Sequence, residues 1–327
     1  MPWYDLPLTQ LREHTTGSLE PIGLDGWWSQ RLDEARAAAR PAVLTRHEPG
    51  AYGLMPVYDV EFSGANGDRI RGWYILPPGT GDHPLPLVVK FIGYGGGRGL
   101  PAEHTMLPAA GFATFVMDTR GQGGRWTTGA TGDPASGGTG PENANVMTRG
   151  LARPEDYYYT RLFTDAVRAV ETASELEEVD SGKVAVSGMS QGGGMALASA
   201  ALLGDTVVAC HADVPFMCDI WRAITLTGDA PYGEVSEFLS RQVDMVDTAM
   251  ETLSYVDCAL LARRITADCL VSVGLMDTIC PPSTVFAAYN AIYSHKEIAV
   301  FEFGVHEIPP SHLERQLTHL RQRLLDT

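Results

Sequence analysis

Basic residues are scarce in this chain. Lysine and arginine number 24 against 40 aspartates and glutamates, a formal net charge of -16 over 327 residues. A surface of that sign repels phosphate backbones and anionic bilayers, so neither a nucleic-acid nor a membrane partner is expected, and its ordinary use is solubility. Cysteine is sparse and unpatterned: Cys210, Cys218, Cys258, Cys269 and Cys280 are odd in number and hold no CxxC pair. They read as free, mostly buried thiols of a reducing, cytoplasmic compartment, at spacings unsuited to a cysteine-ligated metal. Long hydrophobic runs are missing, so no segment is read as crossing a bilayer. Met1-Pro2-Trp3-Tyr4-Asp5 has neither the basic start nor the apolar run of an export signal. No internal repeat or low-complexity linker divides the chain. One domain over residues 1–327 is expected, a normal size for a large α/β unit, and an apolar content of 44% excludes disorder.

What is present alternates. Residues 1 to about 50 read as a helical preamble, with Asp25 capping a helix from Trp27 to Ala39 that Pro41 stops. Val57 to Ser63 and Arg69 to Leu76 read as strands joined by a hairpin at Ala65-Asn66-Gly67-Asp68. Leu85 to Ile92 is an apolar strand suited to a sheet covered on both faces, and Gly93-Tyr94-Gly95-Gly96-Gly97 follows as a loop. Strands are then expected at Phe112–Met117, Val184–Ser187, Val207–Val214, Cys269–Val273 and Ile298–Phe303. Helices are expected at Thr105–Ala110, Tyr157–Leu176, Gln191–Leu203 and His312–Leu325. This order predicts an α/β class: a doubly wound, mostly parallel sheet, helices on both faces, with an antiparallel hairpin at one edge. The stretch from about Phe216 to Arg264 reads as a helical, cap-like insertion over the carboxyl ends of the strands, where ligands bind in such sheets. Phe216, Trp221 and Tyr232 are its aromatic candidates for lining a pocket, though such side chains are more often core.

The central chemical motif is Gly188-x-Ser190-x-Gly192. It follows the apolar strand Val184-Ala185-Val186 and opens a helix rich in alanine and leucine, the strand-turn-helix setting that exposes a nucleophilic serine in α/β-hydrolases. A serine hydroxyl needs a base to take its proton and an acid to orient that base. Both should follow in the order serine, acid, histidine. Asp277, in Gly274-Leu275-Met276-Asp277-Thr278, and His306, in Phe303-Gly304-Val305-His306-Glu307, fit that order and fall past strand carboxyl ends. His14, His47 and His83 precede the serine. His104, His211, His295, His312 and His319 fall in or beside elements, and His312 is the strongest rival. The oxyanion of an acyl transfer needs two backbone donors. The amide of Gln191 supplies one, and the glycine loop supplies the other at Tyr94.

Other chemistry is poorly supported. The glycine loop is not followed by Gly-Lys-Ser/Thr and lacks a spaced GxGxxG with a later acid, so no nucleotide is expected. His306-Glu307-Ile308-Pro309-Pro310-Ser311-His312 is one residue too long for HExxH, and its prolines forbid the helix. Neither a metal nor a cofactor is expected.

Three signatures, Arg120-Gly121-Gln122, Gly188-Met189-Ser190-Gln191-Gly192 and His306-Glu307, occur in order. With them run Ile92-Gly93-Tyr94, Tyr157-Tyr158-Tyr159 before Phe163-Thr164-Asp165-Ala166-Val167-Arg168, and Gly274-Leu275-Met276-Asp277 before Pro281-Pro282-Ser283-Thr284-Val285. Between about Tyr58 and Glu307 the chain resembles the acetyl xylan esterase and cephalosporin C deacetylase family, carbohydrate esterase family seven. The resemblance implies Ser190 as nucleophile, Asp277 as acid, His306 as base, and oxyanion amides from Tyr94 and Gln191. It implies structural roles near the site for Arg120 and Gln122. It also implies a homohexamer and removal of acetyl groups from small oxygen esters, such as acetylated xylo-oligosaccharides or cephalosporin C-type acetates. Ile308-Pro309-Pro310, where glycines are expected, departs from the family pattern. Two other readings share the fold: a serine peptidase of prolyl-oligopeptidase type, for whose propeller the chain has no room, and a non-catalytic binding protein, against which the complete triad speaks.

Overall fold

In the computed structural model, which describes residues 3–47, 52–79, 81, 83–143 and 145–326, nine described strands pair into one sheet. They are β1 (Val43–Arg46), β2 (Val57–Ser63), β3 (Arg69–Ile75), β4 (Leu85–Phe91), β5 (Ala113–Met117), β6 (Val179–Met189), β7 (Ala209–Asp213), β8 (Asp268–Gly274) and β9 (Lys296–Phe301). The spatial order is β1-β2-β3-β5-β4-β6-β7-β8-β9. From β5 to β9 neighbours run parallel, whereas β1, β2 and β3 pair antiparallel and join the rest through β3 against β5. This is an α/β-hydrolase sheet with an antiparallel edge.

The β2–β3 turn forms where Asn-Gly predicts it. Asn66 and Gly67 both take positive φ, 57° and 74°, the pair of conformations a two-residue hairpin turn demands. In the parallel centre, alternate residues face opposite layers. Leu87 and Val89 of β4 join one core cluster and Val88 the other; Val184 and Val186 of β6 likewise face away from Ala185. Both faces are covered, so these strands read as continuous apolar runs.

The described α-helices are α1 (Leu8–Leu11), α2 (Leu24–Ala37), α3 (Met106–Ala109), α4 (Tyr158–Ser174), α5 (Gln191–Leu203), α6 (Ile220–Leu226), α7 (Tyr232–Arg241), α8 (Val246–Ser254), α9 (Cys258–Leu261), α10 (Pro282–Ala291) and α11 (Pro310–Leu324). Helices α2, α4, α5 and α10 contribute to the larger core cluster, and α3 and α11 cover the smaller one on the other face. The segment after β7 folds as α6 to α9. None of the described helices is long and apolar enough to cross a membrane. The five cysteines are free and buried.

Three local expectations need correction. Gly23, at φ 78°, is the N-cap of α2, and Asp25 lies inside its first turn. The strand at 179–189 starts earlier than its apolar run, because Leu85 pairs with Val179 ahead of a register shift. β1 was not expected at all; all four of its residues are exposed, so burial leaves no alternation to read.

Candidate active site

The loops at the carboxyl ends of β4, β6, β8 and β9 meet at one edge of the sheet because these strands are parallel. β6 ends at Met189, and Ser190 follows at φ 58° and ψ -121°, an arrangement rarely held by a side-chain-bearing residue. Several contacts hold it there. Ser190 N donates to Asp213 O at 2.8 Å, and its own carbonyl accepts from Gly194 N at 3.0 Å and Phe216 N at 2.9 Å. The flanking glycines are required by space. A Cβ on Gly188 would sit 2.3 Å from the Gly192 carbonyl carbon, and one on Gly192 would sit 2.4 Å from the Phe91 carbonyl oxygen.

Asp277 follows β8 and is fully buried. Its Oδ1 accepts from the N–H groups of Ile279 at 2.8 Å and Cys280 at 2.9 Å, which leaves Oδ2 for His306 Nδ1 at 2.8 Å. His306 follows β9 and is 18% exposed at its side chain. Ser190 and His306 both line a cavity of about 620 Å³, together with Tyr94, Trp126, Pro231 and Ile279 among others. Among the described residues no hydrogen bond joins Ser190 Oγ to His306; such bonds commonly tighten only with substrate bound.

The rival His312 is engaged elsewhere. Its Nε2 meets Asp213 Oδ1 at 2.9 Å, while Gln316 Nε2 donates to Asp213 Oδ2 at 2.7 Å and Ser272 Oγ to Oδ1 at 2.8 Å. That buried network braces Asp213, whose carbonyl holds the Ser190 amide. His312 is thus two steps from the serine and does not line the cavity.

The N–H groups of Tyr94 and Gln191 make no hydrogen bond with any other described residue. Around them the glycine loop is fastened. Gly95 N donates to Gln122 Oε1 at 2.6 Å, and Trp126 Nε1 donates to Tyr94 O at 2.9 Å, so one peptide is held at both ends. Gln122 Nε2 also donates to Tyr158 Oη and Gln191 Oε1, each at 2.9 Å, and Gln191 Nε2 reaches Ile92 O at 3.1 Å. Gln122 therefore ties the loop after β4 to the start of α5. Arg120, fully buried, forks onto Asp165 (Nε–Oδ2 2.5 Å, Nη2–Oδ1 2.7 Å) and reaches Asp68 at 3.0 Å and Asp133 at 3.3 Å. Neither Arg120 nor Gln122 lines the cavity.

Of the aromatic candidates of the 216–264 segment, two take the core placement that such side chains more often have. Phe216 and Tyr232 are buried against each other, ring centroids 4.3 Å apart, and Trp221 lines a separate cavity. That segment instead supplies Ala230 and Pro231 to the cavity wall, and Glu234 accepts the Tyr94 hydroxyl at 2.7 Å. Burial raises the Glu234 carboxyl above its ordinary value and the Tyr94 phenol further still.

Sequence reasoning also missed Lys90, His104 and Cys280. Lys90 and His104 both line the cavity, with Lys90 Nζ 3.3 Å from His104 Nδ1. Burial lowers the Lys90 ammonium, and burial followed by the Lys90 charge lowers the His104 imidazole to about 4. Cys280 lies against Ser190; burial, then the Asp277 charge, push its thiol well up, so it stays protonated. One donor atom from each of Asp277, Cys280 and His306 lies within 4.8 Å of the others, a set of zinc-ligating types. Both Asp277 oxygens are already engaged, with two backbone N–H groups and His306, so an ion would have to displace the bonds that orient the imidazole. No signal in the sequence separated Cys280 from the other thiols, since only the turn after Asp277 brings it to the serine.

The family model Acetyl xylan esterase (AXE1) matches residues 1–324. The acetyl esterase Axe7A of Xylanibacter ruminicola is 26% identical over 291 residues; these cover 88% of this chain and 63% of that longer protein. Two solved structures are similar throughout. An acetyl xylan esterase from Paenibacillus sp. R4 has a TM-score of 0.88 at 33% identity, covering 98% of this chain and 100% of that one. Acetyl xylan esterase 1 from Thermoanaerobacterium sp. JW/SL YS485 has a TM-score of 0.88 at 33% identity, covering 98% and 99%. By the family model along nearly its whole length and by likeness to two solved acetyl xylan esterases over 98% of the chain, the chain belongs to the acetyl xylan esterase family.

Proposed function

We propose that the protein is a serine esterase that removes acetyl groups from small oxygen esters, with Ser190, His306 and Asp277 as its triad. The observation that carries this reading is the His306–Asp277 pair, 2.8 Å apart, beside a strained serine lining the same cavity. In the proposed reaction His306 Nε2 takes the Ser190 proton as Oγ attacks the acetyl carbonyl. The N–H groups of Tyr94 and Gln191, unspent within the fold, hold the oxyanion that forms. Collapse breaks the ester C–O bond, and the imidazolium returns its proton to the departing alkoxide. Water, deprotonated by His306, then cleaves acetyl-Ser190 to acetate and the free serine.

A cavity of about 620 Å³ suits a small acetylated saccharide or a cephalosporin C-type acetate better than a polymer. Substrate class and a hexameric assembly are proposed on the family resemblance; light scattering on the purified protein tests the assembly. Acetylated xylobiose and p-nitrophenyl acetate should be hydrolysed by the wild type and not by Ser190→Ala. Unchanged turnover in that variant would overturn the assignment.

A further inference from the structure

We infer that Trp3, Tyr4 and Asp5 are positioning residues of the active site: a strap that fastens the acid-bearing and base-bearing loops to each other. The inference rests on the proposed triad.

The three residues are consecutive, so their Cα atoms are about 3.8 Å apart, yet each grips a different part of the site. Trp3 Nε1 donates to the carbonyl of Glu302 at 2.8 Å, four residues before His306, and its ring packs on Phe303 with centroids 6.3 Å apart. The Tyr4 hydroxyl donates to the Asp277 carbonyl at 2.5 Å. Asp5 Oδ2 accepts from Ser283 N at 2.7 Å, in the first turn of α10, and its Oδ1 accepts from Arg222 Nη2 at 3.0 Å. Arg222 Nε closes the circuit by donating to Ser283 Oγ at 2.6 Å. These contacts join positions up to 299 residues apart in sequence.

The His306–Asp277 bond spans the same two loops that the strap joins. The loop after β8 is held by Tyr4 at the backbone of Asp277 itself, and the loop after β9 is held by Trp3. A three-residue segment pinned at both ends fixes the separation of those loops, and a displacement of about 1 Å between catalytic groups can cost on the order of a hundredfold in rate. Burial, then the charges of Asp5 and Asp277, raise the Tyr4 phenol, so it remains a donor throughout the working range of a histidine base. None of the three residues lines the cavity, so they act through Asp277 and His306 and not on substrate.

The test uses the full chain carrying Tyr4→Phe, Trp3→Phe or both, which keep an aromatic ring at each position and remove the donors. The kcat for p-nitrophenyl acetate is expected to fall by roughly tenfold in each single variant, with KM within about twofold. The low-field proton resonance of His306 Nδ1–H, assigned by its loss in His306→Gln, is expected to move upfield and exchange faster. A packing role alone would leave that resonance and the split between kcat and KM where they are. Should Trp3→Phe fail to fold, Tyr4→Phe decides by itself; should the wild type give no low-field signal, the kinetic split decides. Variants that melt like the wild type and keep kcat and the resonance overturn the inference. Activity retained in Ser190→Ala would instead overturn the triad, and the resonance would still report on the strap.

Discussion

Asp277 divides its two oxygens between two tasks: Oδ1 closes a turn by accepting from Ile279 and Cys280, and Oδ2 accepts from His306 Nδ1 at 2.8 Å. Asparagine can perform the first task, because its carbonyl oxygen replaces Oδ1. It cannot stabilise an imidazolium and favours the wrong tautomer. Asp277→Asn should therefore keep the wild-type denaturation midpoint within experimental error while kcat on p-nitrophenyl acetate drops about 10³- to 10⁴-fold. Steady-state kinetics beside urea unfolding checks both halves.

Arg120 is a buried cation among carboxylates, and Asp165 and Asp133 beside it have no exposed side-chain surface. Its removal leaves Asp165 without a counterion in a medium that solvates it poorly, while Asp133 keeps Arg161 at 3.0 Å and Arg149 at 3.3 Å. Arg120→Met should destabilise the fold by about 3–5 kcal/mol, measured by urea unfolding at neutral pH. A loss under 1 kcal/mol would mean that the carboxylates find other partners or take up protons.

Two glycines should respond oppositely to the same substitution. Gly192→Ala places a methyl 2.4 Å from the Phe91 carbonyl oxygen, so the turn bearing Ser190 must open and activity should be lost. Gly26 lies exposed within α2 with nothing within 4 Å of a new Cβ. Gly26→Ala should raise stability by roughly 0.5–1 kcal/mol without touching turnover, a contrast that thermal melts and assays on both variants resolve.

His104 should make the fold acid-sensitive. Its Nε2 donates to the Arg98 carbonyl at 2.8 Å and its Nδ1 faces the Lys90 ammonium, contacts that only the neutral ring satisfies. The folded value, about 4, lies below the ordinary 6.5. The unfolded chain therefore takes up the proton first, and the contribution present above pH 6.5 is lost as pH falls toward 4. At pH 5 the loss should be about 2 kcal/mol. Urea titrations at pH 7 and pH 5 should show a correspondingly smaller drop in His104→Gln.

Much of the fold was legible because burial leaves a pattern. The sheet centre reads as apolar runs, helix 191–203 has the bounds expected of it, and Asn66-Gly67 marks its turn. β1 left no trace because an exposed edge strand of four residues has no buried face to alternate. The 179–189 strand outruns its apolar stretch because pairing with β4, not side-chain burial, sets where it begins.

For the site, sequence by itself determined the chemistry on offer: a serine between glycines at a strand-helix turn, then an acid and a base in the required order. Residue order carries this, because parallel strands bring their following loops to one edge whatever lies between. Distance it does not carry. Only the tertiary structure decided that His306 and not His312 meets Asp277, that the amides of Tyr94 and Gln191 stay unspent, and that Cys280 stands against the serine. Tyr4 shows the limit most plainly: its partner lies 273 residues away, and no local pattern encodes a hydrogen bond to a carbonyl that the folded sheet alone brings within reach.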